Sequence, residues 1–330
     1  MDYKAIFDKF NELNILIIGD VMIDSYQWGK VDRISPEAPV PICTVQKTEH
    51  RLGGAGNVAL NIAAMGATPI LCSVIGKDDN GKILLNLLKE HNMTNEGILL
   101  SNKRPTTIKT RIIGNNAQML RIDKETTENL DSDEESMLLK AIADMIENKE
   151  IHAIIFQDYD KGVITDKIIK QTVKLAKAKG IPTTVDPKHR NFSSYKGVTM
   201  FKPNLKELKE GLKIEFDLPT KDNLTDAALL LHAKQDIQKI FITLSEYGIF
   251  MADYSHNEAK MDLMPAYLRK IADVSGAGDT VISVATLCLA LGMSSTDIAK
   301  ISNLAGGLVC ENVGVVPINK DKLYKEVIAQ

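Results

Sequence analysis

The 330 residues are short of the features that mark several large classes of protein. Charge of one sign is not in excess: the formal net charge is −3. That gives no electrostatic case for a nucleic-acid or anionic-membrane partner. Cysteine is scarce, at four. Cys43, Cys72, Cys288 and Cys310 lie far apart, with no C-x-x-C and no histidine at zinc-ligand spacing, so the thiols read as inert and the compartment as reducing. The six histidines are scattered and suggest neither a catalytic nor a metal cluster. Long apolar runs are missing too. The most apolar stretch, residues 280–291, would span about 18 Å as a helix against about 30 Å for a bilayer core. The first ten residues read as a short amphipathic helix without a signal-peptide core. A cytoplasmic location is expected. Two phosphate-binding fingerprints are absent: no G-x-x-x-x-G-K-[ST], and no G-x-G-x-x-G after the first strand. No repeat, low-complexity tract or Pro/Gly-rich linker divides the chain, so residues 1–330 are expected to form one domain.

What is present is a β-then-α rhythm. Residues 14–19 read as a strand buried on both faces, and further strands are expected at 69–74, 153–157, 182–185, 198–201 and 240–244. Helical patterns lie between them, including 55–65 and 166–178, the latter with Thr165 as N-cap and Gly180 as stop. This pattern predicts a doubly wound, mainly parallel sheet with helices on both faces. Two regions break it. Residues 26–45 carry Pro36, Pro39 and Pro41 without helical period. Residues 107–113 and 118–123 read as strands around Gly114-Asn115-Asn116. Either region reads as surface loop, or the two pair into a small β-sheet lid over the strand C-termini, spanning about 24–50 and 104–125.

The segment Asp273-Val-Ser-Gly276-Ala277-Gly278-Asp279 precedes an apolar helix. Successive backbone amides of a glycine turn, together with a helix N-terminus, make an anion site. An aspartate there suits a general base that accepts the proton of an attacking hydroxyl beside a transferring phosphoryl group. It equally suits a helix cap behind a glycine turn. These residues alone leave both readings open.

A second glycine-rich helix start, Gly53-Gly54-Ala55-Gly56-Asn57, stands about 220 residues earlier, and Asn204-Leu-Lys-Glu207 lies between the two. In this order the three motifs resemble the signatures of the ribokinase (PfkB-type) family of carbohydrate kinases, over essentially the whole chain. Narrower segments are Gly19-Asp20-Val-Met-Ile-Asp24, Trp28-Gly-Lys-Val31, residues 33–41, residues 104–111, Asp158-Tyr-Asp-Lys-Gly162 and Asp186-Pro-Lys188. They resemble the branch that phosphorylates D-glycero-β-D-manno-heptose 7-phosphate at its anomeric hydroxyl. Many of that branch carry a C-terminal nucleotidyltransferase with G-x-F-D and H-x-G-H signatures. Neither occurs by Gln330, which implies a stand-alone kinase or the kinase half of a bifunctional protein.

The resemblance implies roles residue by residue. Asp279 is the base, and the amides of Gly276, Ala277 and Gly278 form the anion hole. Asp20, Asp24 and Asn57 contact the sugar, where Gly53 and Gly54 allow close backbone approach. Turn-forming aspartates are the alternative for Asp20 and Asp24. Arg111 and Lys161 are candidate partners of the substrate phosphate, with Arg104 and Lys109 behind them. Lys188 is assigned to ATP, with the substrate phosphate as its alternative. Thr243, Ser245, Gly248, Gly278 and Asn303 are the other nucleotide contacts, with Gly306 and Gly307 near the adenine. Asn204 and Glu207 organise Mg²⁺ through water, although N-x-x-E also reads as a capping box. Some relatives hold a monovalent cation near Asp273 and Val313-Gly314. The expected partners are ATP and a sugar phosphate, with a second copy of the chain docked through the lid. Three rivals remain: a kinase of an unphosphorylated sugar or nucleoside, a non-catalytic sugar-phosphate sensor on the same fold, and a dinucleotide oxidoreductase. The last lacks its fingerprint.

Overall fold

The computed structural model describes residues 2–267, 271–312 and 314–329. Helix α1 (Tyr3–Lys9) leads into β1 (Asn14–Gly19), where residues 15–19 are all buried. A strand covered on both faces belongs at the centre of a parallel sheet. The chain then makes a long antiparallel hairpin, β2 (Val21–Ile34) and β3 (Pro41–Gly54). It continues through α2 (Ala55–Ala64), β4 (Thr68–Gly76), α3 (Asp79–Glu90) and β5 (Gly97–Ser101). A second hairpin follows, β6 (Ile108–Gly114) and β7 (Ala117–Lys124). Then come α4 (Ser132–Asn148), β8 (Ala153–Gln157), α5 (Asp166–Lys179), β9 (Thr183–Asp186), β10 (Met200–Phe201), α6 (Leu205–Leu212) and α7 (Lys221–Gln235). The last elements are β11 (Lys239–Thr243), β12 (Ile249–Asp253), β13 (Lys260–Met264), α8 (Ala277–Ala290), α9 (Ser295–Val309) and α10 (Lys320–Ile328).

Nine strands form the main sheet in the order β13-β12-β11-β10-β9-β8-β1-β4-β5, with every pairing parallel except β11–β12 and β12–β13. One apolar cluster, built with α1, α2, α8, α9 and α10, covers one face, and a second, built with α4 to α7, covers the other. This is the doubly wound α/β architecture the sequence predicts. Local signals hold where they are strongest. The Thr165 side chain accepts from the Ile168 amide at 3.2 Å, and Gly180 ends α5 at φ 69°. Strand 198–201 is shorter than expected. Gly197 turns in at φ 69°, and only Met200 and Phe201 pair in register on both sides before Pro203, which has no N–H to continue the ladder. The antiparallel pair β12 and β13 was not expected at all.

The two irregular regions pair into a separate sheet, order β3-β2-β6-β7. Asn115 and Asn116, at φ 51° and 64°, close its second hairpin in the left-handed region that suits a tight two-residue turn. Pro36 and Pro39 fall in the connection between β2 and β3, and Pro41 starts the edge strand β3, where its missing donor does no harm. Within the main sheet, β1 neighbours both β4 and β8, so the chain winds outward in both directions from the β1–β8 boundary. Open α/β sheets bind ligands beyond the strand C-termini at such a point.

Candidate active site

Helix α8 begins at that boundary. Gly276 caps it at φ 81°, and a Cβ there would come within 3.1 Å of the Asn57 amide nitrogen and of Val315. Only glycine fits this left-handed, crowded position. Asp279 lies in the first turn and is buried. Its Oδ2 accepts from Asn57 Nδ2 at 2.6 Å, and its Oδ1 accepts from Gln157 Nε2 at 3.0 Å and from the Tyr159 hydroxyl at 2.7 Å. Burial pushes the carboxyl up to about 6; the Asn57 hydrogen bond opposes this and the nearby Asp186 charge adds to it. A carboxylate poised near neutrality is matched to proton transfer at physiological pH.

A cleft of about 520 Å³ opens in front of this helix start. Among its lining residues are Lys188, Asn204, Thr243, Ser245, Gly248, Gly276, Ala277, Gly278, Asp279 and Asn303, which the structure therefore brings together. Gly306 and Gly307 line it too. The turn after β11 is shaped by Ser245 at φ 52° and Gly248 at φ 92°; a Cβ on Gly248 would meet the Met264 carbonyl oxygen at 2.0 Å. Asn303 spends its amide on the Pro265 carbonyl.

Glu207 is not part of the cleft wall. It forms a full capping box with Asn204: the Glu207 amide donates to Asn204 Oδ1 at 2.8 Å, and the Asn204 amide donates to Glu207 Oε2 at 2.9 Å. The other Glu207 oxygen pairs with Lys188. Burial opposes the Lys188 charge, but Asp186 and Glu207 outweigh it and hold the ammonium above its ordinary range. Replacing Glu207 with Ala removes the reciprocal cap and is expected to lower unfolding stability by about 1 kcal/mol, read from urea denaturation. Glu207→Gln keeps an acceptor for the Asn204 amide, so it should recover most of that loss while still changing the apparent affinity for ATP. Equal destabilisation by both variants would remove the capping account.

The predicted sugar contacts are arranged differently. All three Asp20 interactions are with backbone: its oxygens accept from the amides of Tyr159 at 2.8 Å, Lys161 at 3.1 Å and Val163 at 3.1 Å. Asp20 therefore pins the segment after β8; it is buried, and burial raises its pKa against those three amides. Asn57 is turned onto Asp279. Gly53 packs against Asp24, where a Cβ would meet Oδ2 at 2.3 Å, and Gly54, at φ 58°, starts α2 against the Asp20 carbonyl. Asp24 and Arg111 form an ion pair at 2.5 Å in the smaller sheet, with Arg111 and Arg51 at 5.3 and 5.0 Å from the Tyr26 ring centroid. Lys161 pairs with Glu125 at 2.7 Å, Lys109 with Asp123 and Glu125, and Arg104 donates to the Lys161 carbonyl. None of Asp20, Asp24, Gly53, Gly54, Asn57, Arg111 or Lys161 lines the cleft of the glycine turn.

Sequence reasoning did not single out Gln157, Tyr159, Asp186 or Lys202 as site residues. They stand at the C-terminal ends of β8, β9 and β10. Lys202 and Asp186 form a buried ion pair at 3.1 Å, beside the position a Gly278 Cβ would take. Gln157 spans Asp186 and Asp279 with one amide nitrogen, at 3.3 and 3.0 Å. A strand ending in an acid or amide was the available signal. Asp273 accepts from the Ser275 amide at 2.9 Å and the Gly314 amide at 3.0 Å, and these bonds hold its pKa below the usual carboxylate range. Val313, named for the cation, lies outside the described residues.

Comparison with known proteins identifies the family and the fold. The family model for pfkB family carbohydrate kinases matches residues 12–322. The Bifunctional protein HldE of Geotalea uraniireducens is 35% identical over 328 residues, covering 99% of this chain and 65% of that protein. The Bifunctional protein HldE of Desulfatibacillum aliphaticivorans is 39% identical over 318 residues, covering 96% and 64%. The chain thus spans somewhat under two thirds of the length of these relatives. Among solved structures, phosphofructokinase-2 from Escherichia coli in complex with potassium superposes with a TM-score of 0.76 at 20% identity, covering 96% of this chain and 99% of that one. Ribokinase of Arabidopsis thaliana complexed with ribose and ATP gives 0.71 at 17%, covering 95% and 98%. The chain belongs to the pfkB family of carbohydrate kinases, phosphotransferases with an alcohol group as acceptor.

Proposed function

We propose that this chain transfers the γ-phosphoryl group of ATP to the anomeric hydroxyl of D-glycero-β-D-manno-heptose 7-phosphate, giving the 1,7-bisphosphate used in ADP-heptose and lipopolysaccharide core synthesis. One observation carries the chemical half: a buried carboxylate with its pKa pushed up to about 6 sits in the first turn of a glycine-headed helix that borders a 520 Å³ cleft. Asp279 takes the proton of the acceptor hydroxyl while the amides at 276–278 and the ammonium groups of Lys188 and Lys202 face the phosphates. The donor set fits a nucleotide's phosphates. Among the described residues no three His, Cys, Asp or Glu side chains come together to cage a metal, and Glu207 is engaged by Asn204 and Lys188. Mg²⁺ would supply charge neutralisation on the phosphates, taking its ligands from phosphate oxygens and water, with Asn204 and Glu207 acting through that water. A monovalent cation beside Asp273 remains part of the proposal.

The substrate half rests on the similarity to HldE proteins and on the cluster Asp24, Arg111, Lys109 and Lys161 where the smaller sheet meets the strand ends. In this reading the chain is one unit, residues 1–330, with the smaller sheet as its lid. Asp24 grips sugar hydroxyls and Arg111 or Lys161 exchanges its carboxylate partner for the 7-phosphate. A second reading, a kinase of an unphosphorylated sugar, has one observation in its favour: these cations are already paired within the chain. Steady-state turnover with Mg-ATP across a panel decides. Heptose 7-phosphate is expected to exceed ribose, fructose and adenosine by at least about 10³-fold in kcat/KM, as expected when a site built for a charged group is offered substrates lacking it. Efficient use of the unphosphorylated sugars alone would sink the substrate assignment. The lid also carries exposed Ile34, Val45, Met119, Leu120 and Ile122, which support self-association of two copies through this sheet. No described helix is long and apolar enough to cross a membrane, and a cytoplasmic location is part of the same proposal.

A further inference from the structure

Two of the three donors on Asp279 belong to the interior, since Asn57 and Gln157 are buried. The third does not: Tyr159 is half-buried and lines the cleft. Its hydroxyl lies 2.7 Å from Oδ1, which also accepts from Gln157 at 3.0 Å. A carboxylate oxygen offers two in-plane lone pairs, so Oδ1 is saturated while the tyrosine stays. Oδ2 is held by Asn57, which like Gln157 is buried and does not line the cleft, so Tyr159 is the donor that an acceptor hydroxyl or a water entering the cleft meets on the carboxylate.

The backbone beneath the ring is fixed. Asp20 accepts the Tyr159 amide at 2.8 Å and the Lys161 amide at 3.1 Å, and Asp160 and Gly162 sit in the left-handed region at φ 54° and 82°. Asp158, just before, is held by Asn191 at 2.9 Å and Tyr195 at 2.7 Å. Freedom is thus confined to the side chain, which turns on the timescale of rotamer exchange. On its other side the ring lies 5.6 Å from Lys188 Nζ, one of the cations of the nucleotide cleft. Burial and the charges of Asp279 and Asp186 raise the phenol well above its ordinary range, so it stays a donor at any physiological pH.

We propose that Tyr159 is a gate on the base. With ATP bound and no sugar, its hydroxyl occupies Asp279 and keeps water from being activated there. The arriving acceptor hydroxyl displaces it by side-chain rotation. The reaction held back is hydrolysis: a water oxygen bonds to the γ-phosphorus, the bond from that phosphorus to the bridging oxygen breaks, ADP leaves, and the water proton passes to Asp279. The inference rests on Asp279 being the base, and it makes Tyr159 a positioning residue that acts through it.

The test uses the whole chain with Mg-ATP and no sugar, following phosphate release. Tyr159→Phe keeps the ring and removes only the hydroxyl, so it is expected to raise this basal hydrolysis by roughly tenfold, the factor that one charge-assisted hydrogen bond is worth. The acid limb of the hydrolysis profile should also move to higher pH, because a bond that lowers the Asp279 pKa is gone. The other charged groups facing Asp279, namely Asp186, Lys188 and Lys202, are unchanged by the substitution. Combining it with Asp279→Asn should abolish the increase. Hydrolysis no faster than wild type, or an unmoved acid limb, overturns the gate while leaving the base assignment standing. An increase that persists in the double variant overturns both.

Discussion

Replacing Asp279 with Asn is expected to lower kcat by about 10³-fold, within the range typical of losing a positioned general base, while ATP affinity changes little. The asymmetry follows from the geometry. In the proposed complex the phosphates face the amides at 276–278 and two ammonium groups, none of which the substitution touches, whereas the proposed proton acceptor disappears. Turnover within tenfold of wild type would remove Asp279 from the mechanism and with it the proposed chemistry. The intact enzyme makes a second, linked statement through pH. The base must be ionised to act, and burial has raised its pKa to about 6. Hence kcat/KM should be flat above that value and fall tenfold per unit below it. The sign for stability runs the other way. A carboxyl whose folded pKa exceeds its unfolded one opposes folding as it ionises, by up to roughly 3 kcal/mol once pH has risen from about 4 through about 6. The Asn variant carries no such charge. Its stability relative to wild type should therefore improve across that window, measurable as diverging thermal midpoints.

The segment around Asp279 stands out because the glycine turn, the helix start and the carboxylate follow one another in the chain, although by itself it leaves base and helix cap both open. The partners that tune it do not stand out. Gln157 and Tyr159 stand 122 and 120 residues away, and they reach Asp279 because α8 packs against β8. Periodicity finds β8 but cannot say what lies across its end. Asp20 shows the opposite difficulty. An acceptor just past the first strand suits a sugar, yet the structure gives its oxygens to three backbone amides; sequence does not tell which way a carboxylate turns. Asn204 and Glu207 are a milder case, since the capping box is local and was visible as an alternative. In the fold, strong local signals such as Thr165, Gly180 and the Asn115-Asn116 turn held. That the two β-rich regions join into one small sheet is among the sequence readings, but the parallel pairing of β2 with β6 that joins them depends on contacts between segments some 85 residues apart, which local pattern does not specify.

The largest effect on stability is expected at Lys202. Its ammonium and the Asp186 carboxylate lie 3.1 Å apart, with side chains only 3% and 8% exposed. Removing the lysine leaves the Asp186 charge buried with only the Gln157 amide and the more distant Lys188 to offset it, a loss of up to about 3–5 kcal/mol. Lys202→Met nearly preserves the volume, so cavity formation contributes little and the loss reports the charge. Asp186 is also the nearby charge that already raises the Asp279 pKa, and Lys202 opposes it. Without the lysine, Lys188 is the remaining cation offsetting the repulsion between the two carboxylates bridged by Gln157. The acid limb of the pH–rate profile should therefore move upward from about 6 as stability falls. Adding Asp186→Asn removes the stranded charge, and the double variant should regain most of the lost stability and return the limb toward lower pH. Urea midpoints and pH profiles of the two singles and the double give the coupling directly. An unchanged midpoint for Lys202→Met would mean that water or a neighbouring donor satisfies Asp186, and that Lys202 serves the nucleotide alone.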